Sequence, residues 1–185
     1  MAKAITAVTG EPHITPEQDS MWHRAVTGLP TCVVDDSKTE NFATQIVTNN
    51  EIRVRSGIAQ LQGRYWCVPI NTYDSVNINN GNQGENRIDL IVYRWTKNDE
   101  LKTEGGDWLV LQGTPTTGTP AVPQHMQGDL DNGDLVADMP MFQVQLAGLS
   151  ITKITPVFEM ALTTEAARIS AETIQMFADA GYPIT

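Results

Sequence analysis

The spacing of hydrophobic positions divides this chain into a short helical stretch, a long stretch of period two and a second helical stretch. Met21, Trp22, Ala25 and Val26 recur at helical spacing. Ahead of them, Thr15-Pro16-Glu17-Gln18 carries a helix start: Thr15 can cap the Gln18 N–H, Pro16 suits the first helical position, and Gln18 can reach back to close a capping box. Gly28-Leu29-Pro30 ends the stretch, so the pattern predicts a helix over Pro16–Thr27.

From Thr31 the period drops to two. Thr31–Val34 is a short apolar run, and Ala43–Thr48 leads into the turn pair Asn49-Asn50. Glu51–Arg55 puts Ile52 and Val54 on one face and Arg53 and Arg55 on the other. Ser56-Gly57 interrupts, and Ile58–Gln62, Arg64–Val68 and Ser75–Asn79 continue the meander. The polar, Gly-containing stretch Asn79–Asn86 reads as a loop. Arg87–Trp95 is the strongest strand pattern, with Ile88, Leu90 and Val92 on one face and Ile91, Tyr93 and Trp95 on the other. Apolar groups on both faces point to a central strand, or to one covered by a neighbouring subunit. Trp108–Gln112, Met141–Ala147 and Ser150–Ile154 read as further strands. Between them, Gly113–Pro123 holds too much proline for a helix or a central strand and reads as an extended surface connector. Gln124–Asp138 is polar and acidic.

After Thr163-Thr164-Glu165, residues Ala166, Ile169, Thr173, Met176 and Ala180 form a heptad seam that Ile174 and Phe177 widen. Such a short helix is marginal alone, so it packs on its own body or on copies of itself. The expected organisation is a mainly β chain: an N-terminal arm and helix over 1–30, an antiparallel sandwich or meander over 31–160, and a C-terminal helix over 161–185. The candidate oligomer contacts are Ile91, Tyr93 and Trp95 on the strongest strand and Ile169, Thr173, Met176 and Phe177 on the terminal seam.

Composition narrows the function. The 185 residues carry 12 Lys and Arg against 22 Asp and Glu, a formal net charge of −10, which argues against nucleic acid and against an anionic membrane surface. No run of apolar residues is long enough for a transmembrane helix, and the first residues have no secretory apolar stretch. Charged residues make up only 18%, below the ~25% of average proteins, so Thr, Asn, Gln and Ser must cover the surface. Cys32 and Cys67, the two cysteines, read as small apolar residues of a protein made in a reducing cytoplasm.

Candidate chemistry is sparse. There is no phosphate-binding glycine loop, no dinucleotide motif and no nucleophile elbow. His13, His23 and His125 lack metal-ligand spacing and read as structural residues, with an ion shared between symmetric copies as the alternative. Asp129–Asp134 resembles the start of a calcium loop, but its Gly is misplaced and Pro140 stands where the closing Glu belongs, so it reads as a polar turn. Asp89, inside the strongest strand, needs a partner; Arg87 on the same face makes a structural ion pair with it. Trp22, Trp66, Trp95 and Trp108, with Tyr65, Tyr73 and Tyr93, suit either a core or a sugar-stacking platform. No cofactor is expected.

Four segments in order resemble a known family. These are His13–Asp19 at the helix start, Val54–Arg64 in the pattern V-x-x-G-x-A-x-L-x-G-R, Arg87–Val92 as R-I-D-L-I-V, and the Gly113-Thr114-Pro115 connector with Pro120 and Pro123. Together they resemble the module of tail-tip, baseplate and receptor-binding appendage proteins of tailed phages. The resemblance covers roughly residues 10–160. It implies a β-rich, typically trimeric virion unit that docks or carries the host-recognition apparatus, with other phage structural proteins as partners and no catalytic residues. The sequence departs from the family at the acidic stretch Gln127–Asp138 and at Pro156–Glu159, where an Asp-x-Arg is usual. The expectation is a non-enzymatic homotrimeric adaptor or appendage, assembled in the host cytoplasm and located in the virion tail. The alternatives are a carbohydrate-binding module for host cell-wall glycan, or a head fibre or decoration protein.

Overall fold

The computed structural model describes residues 14–161 and, beyond them, 175, 176 and 179. One helix, α1 (Pro16–Thr27), precedes the strands β1 (Cys32–Val34), β2 (Thr44–Thr48), β3 (Glu51–Leu61), β4 (Arg64–Asn77), β5 (Asn86–Asn98), β6 (Thr103–Leu111), β7 (Val136–Ala147), β8 (Ser150–Pro156) and β9 (Met160–Ala161). The start of α1 follows from its sequence. The Thr15 hydroxyl accepts from the Gln18 N–H at 3.3 Å, and the Gln18 side chain accepts from the Thr15 N–H at 3.1 Å. Gly28, at φ 72°, turns the chain out of the helix and donates to the Arg24 carbonyl.

The strands form two sheets, and β3 organises the first. One of its edges pairs with β4; the other takes β2 against Glu51–Val54 and β1 against Ile58–Gln60, all antiparallel. The two-residue β9 then joins β1 in parallel. The second sheet is antiparallel in the order β6-β5-β7-β8. The sheets share one core, to which the first contributes Val33, Ile52, Val54, Ala59 and Val68 and the second Ile91, Met139, Phe142, Val144 and Leu146. The mainly β, antiparallel expectation therefore holds.

Three segments read differently in the sequence. Ser56-Gly57, expected to separate two strands, is a bulge within β3: Arg55 faces Tyr73 and Gly57 faces Val68, so Pro69–Thr72 loops out of β4. A β-carbon at Gly57 would overlap the ring of the buried Phe42, so glycine is what lets that ring lie on the strand. The polar stretch Gln124–Asp138 turns into strand at Val136 and buries Ala137 and Met139. The connector is tied down near its start, where Thr116 and Asn86 exchange backbone bonds of 2.7 and 2.9 Å, and just beyond its end, where the Asp138 N–H donates to Met126 O at 2.9 Å.

β5 lies between β6 and β7. Ile91 and Trp95 are buried in the shared core, and Tyr93 is half-buried against it. The Tyr93 ring stacks on Trp66 at 3.7 Å with planes 2° apart, and Trp108 meets both rings edge-on. The other sheet of the same chain thus covers much of this face: Ile91 and Trp95 are taken up within the chain, and Tyr93 keeps only part of its side chain accessible. Of the terminal seam, Ile169, Thr173 and Phe177 lie outside the described residues. Gln175, Met176 and Asp179 are helical, and Met176 is 61% exposed.

Candidate interaction surface

α1 is mounted with its hydrophobic stripe outward. Met21 is 58% exposed, Trp22 68% and Val26 59%, while the buried residue of the helix is Ser20. Polar groups do the docking. His23 Nδ1 meets the Gly63 carbonyl at 2.8 Å, Arg24 donates to the Gln62 carbonyl at 2.8 Å, and Gln60 donates to the Thr27 hydroxyl at 2.8 Å and to the Leu29 carbonyl. The tight β3–β4 turn at Gln62-Gly63 allows this approach. Gly63 takes φ 83°, and a β-carbon there would overlap the Ser20 carbonyl. A helix laid on its own domain normally turns its apolar stripe inward; here the backbone and polar side chains hold it, and the stripe faces solvent. Ile14, just before the helix, extends the exposed surface.

The acidic loop locks the same corner. Asp131 accepts from Arg24 at 2.9 Å and from Arg64 at 3.2 Å, and Arg64 also reaches Glu104 at 3.2 Å. Glu104 accepts from the Trp95 indole as well. Arg64 is buried, so these carboxylates supply the partners its charge requires. Gln62 grips the loop from both sides: its amide donates to Gly128 O and its carbonyl accepts from the Leu130 N–H, while Leu130 is buried in the core. The Asp129 carboxylate accepts from the Asp131 and Asn132 N–H groups and the Asn132 amide, and these bonds lower its pKa. The calcium-like segment is thus a self-capped turn that ties α1 to the sheets. Among the described residues, no group of three His, Cys, Asp or Glu is placed to hold a metal ion.

The pair read from the best strand lies in the interior. Arg87 donates to Asp89 through Nε at 2.8 Å and Nη2 at 2.9 Å, and Asp89 also accepts the Gly113 N–H at 2.9 Å. Both side chains are essentially inaccessible. The remaining Arg87 donors meet the Asn79 and Asn80 carbonyls, so the pair fixes the polar loop beside β5 and the start of the connector together. A second bidentate pair, Arg94 with Asp138 at 2.6 and 2.8 Å, sits at the other end of β5 and holds the far end of the connector through the Met126 N–H.

Of the aromatics considered as a sugar platform, Trp66 and Trp95 are buried and Trp108 and Tyr93 half-buried, while Trp22, Tyr65 and Tyr73 remain exposed. Tyr65 packs on the His23 ring at 4.1 Å, and the Arg53 guanidinium lies 4.3 Å over Tyr73. Open grooves line the described surface. One, about 510 Å³, runs along Arg94, Thr96, Gly105, Gly106 and Asp107. A smaller polar one, about 190 Å³, lies beside α1 at Asp19, His23, Arg64, Tyr65 and Glu104. Cys32 is buried and Cys67 exposed, both as free thiols. The outward stripe of α1 is the surface that sequence reading left open. Helical periodicity marks the stripe, and only the tertiary contacts decide which way it faces. No protein-family model matches this sequence, and no curated protein matches it.

Proposed function

We propose that this chain is a structural protein of a tailed-phage virion, an adaptor or appendage of the tail tip or baseplate that assembles as a homotrimer and joins other phage structural proteins. The observation that carries the proposal is the outward hydrophobic stripe of α1, with Trp22 68% exposed on a helix held from behind by polar contacts. Contiguous exposed apolar groups on a folded domain mark a docking surface, and tryptophan with methionine is the composition such surfaces favour. The four ordered motifs that resemble tail-appendage modules supply the class of assembly. The function is geometric: strand pairing, the buried Arg87–Asp89 pair and the partly buried Arg94–Asp138 pair make a firm body, and α1 offers the contact. This reading contains no catalytic step. Of the seven aromatics considered as a sugar platform, two are buried and two half-buried, which favours the structural reading over glycan binding by this chain.

Labelling this protein on intact virions and imaging them tests the proposal. The expected result is label on the tail tip, baseplate or another appendage, together with a solution mass of three times the 20.3 kDa chain. Virions without the protein would overturn the virion assignment, and a monomer at all concentrations would overturn the trimer.

A further inference from the structure

Arg53 stands apart from its fellow arginines. Arg24, Arg55, Arg64, Arg87 and Arg94 each meet a carboxylate at 3.2 Å or less. Arg53 meets none among the described residues, and its Nε is buried without a hydrogen-bond partner. Its direction follows from the strand. Ile52 and Val54 are buried in the shared core, so Arg53 and Arg55 project from the opposite face of β3. The Arg53 guanidinium lies on the Tyr73 ring, with Cζ 4.3 Å from the centroid. Arg55 comes within 5.8 Å of the same ring, but Glu40 holds it, both carboxylate oxygens accepting from its Nε at 3.1 and 3.2 Å. Glu51, two residues along the strand on the Arg53 face, accepts from the Ser75 hydroxyl at 2.9 Å. These two carboxylates are thus engaged elsewhere, and a flat cation is left held by an aromatic ring.

We propose that Arg53, seated on Tyr73, receives a carboxylate from an acidic segment of a partner protein. The inference goes beyond the assembly reading and does not depend on it. It concerns a surface distinct from α1, which is held at the Gln62-Gly63 turn, whereas Arg53 pairs with Ser75 toward the other end of the β3–β4 ladder.

Charge is the first support. A guanidinium offers a planar fork of donors that matches a carboxylate, and stacking on Tyr73 fixes that fork before the partner arrives. The surroundings are the second. Tyr73 is 42% exposed, and Ile70, on the loop-out just before it, is 54% exposed. Arginine and tyrosine are the residues that carry most binding energy in protein contacts. Shape decides what brings the carboxylate. The grooves at Arg94 and beside α1 do not include Arg53 or Tyr73. A free small anion on an open face gains little from one exposed charge, whereas a carboxylate carried on a polypeptide brings neighbours to Tyr73 and Ile70. Two copies of this chain, each at −10, repel one another at long range, so the occupant is a segment of another protein.

The test follows the Arg53 Nε–H and Tyr73 amide signals of the deuterated, 15N-labelled full chain by NMR. An acetylated tri-glutamate peptide is the probe, with a tri-glutamine peptide and inorganic phosphate in parallel at matched ionic strength. The tri-glutamate peptide should shift both signals saturably. Arg53→Gln should abolish the Tyr73 shift. Arg53→Lys, which keeps the charge and loses the fork, should weaken binding about threefold or more. The two variants test the site independently, and amide signals away from Tyr73 that match the parent show that each is folded. Equal shifts with tri-glutamine, or an unchanged Tyr73 response in both variants, would overturn the proposal. Phosphate acting as strongly as the peptide would overturn it in favour of a free-anion site. An Arg53 signal that moves with protein concentration alone would overturn it in favour of a second copy, and no saturable shift would overturn it outright.

Discussion

Replacing Asp89 by alanine strands a buried charge, and the structure gives the size of the effect. Asp89 is fully inaccessible and Arg87 nearly so. The carboxylate takes both arms of the guanidinium and the Gly113 N–H. Without it, Arg87 keeps its bonds to the Asn79 and Asn80 carbonyls but loses the only anion it meets among the described residues. Removing one partner of such a pair costs about 3–5 kcal/mol, because the remaining charge stays desolvated. Domains of this kind are stable by about 5–15 kcal/mol, so a large part of the margin is lost. At this chain length each kcal/mol moves the midpoint by about 2–4 °C, giving a fall of about 6–20 °C. Urea and thermal unfolding followed by circular dichroism measure it. The double replacement Arg87→Met with Asp89→Leu removes the pair as a unit, and its cost is expected to be smaller than that of Asp89→Ala alone. An Asp89→Ala protein within about 1 kcal/mol of the parent, an ordinary effect for a single substitution, would refute the reasoning. So would a double replacement as costly as the sum of both singles.

Gly63→Ala should release α1, since it forces a left-handed φ on a β-carbon that overlaps the Ser20 carbonyl. The backbone term is about 1–2 kcal/mol and overpacking adds about 1–3 kcal/mol; loss of helix signal ahead of the strand transition in thermal melts checks it, and an unchanged melt contradicts the docking geometry. Acid should weaken the connector. Burial pushes the Asp138 carboxyl up, but the bonds from Arg94 and the Met126 N–H outweigh this and leave its pKa below the ordinary 3.8. The folded form therefore holds the proton less tightly than the unfolded one. The stabilisation is complete above 3.8 and is lost as the pH falls through the folded value. Unfolding measured from neutral to strongly acidic pH should show that acid limb flattened in Asp138→Asn, and an unaltered limb would contradict the pairing.

The local devices were legible in the sequence. Thr15 and Gln18 announced the start of α1 and Gly28 its end, because capping depends on neighbours in sequence. The alternation in Glu51–Arg55 and Arg87–Trp95 marked β3 and β5 because a pleat repeats every two residues. The strand boundaries at Ser56-Gly57 and across Pro69–Thr72 were misplaced, since a bulge and a loop-out keep a ladder running through residues that locally read as breaks. The polar composition of the stretch before Val136 hid the first residues of β7, whose buried Asp138 is matched by Arg94, a residue far off in sequence. For the surface, periodicity identified the apolar stripe of α1 but not its orientation. That orientation depends on Gln60, Gln62 and Gly63, which belong to another hairpin. Likewise, Ile91, Tyr93 and Trp95 looked suited to a neighbour because the sequence does not show the second sheet that covers them.

The short parallel pairing of β9 with β1 has a mechanical consequence. A load entering through α1 pulls on the start of β1, and a load leaving beyond Ala161 pulls on the end of β9. In parallel neighbours these are opposite ends, so tension slides the strands past each other instead of peeling them apart. The Val33 N–H bond to Glu159 O at 2.8 Å and the Asp35 N–H bond to Ala161 O at 3.1 Å are then stressed together. They share the load that the contacts of α1 with the β3–β4 hairpin do not carry. Two residues of strand thus act as a shear clamp between the two ends of the body, a geometry suited to a part that transmits force along an assembly.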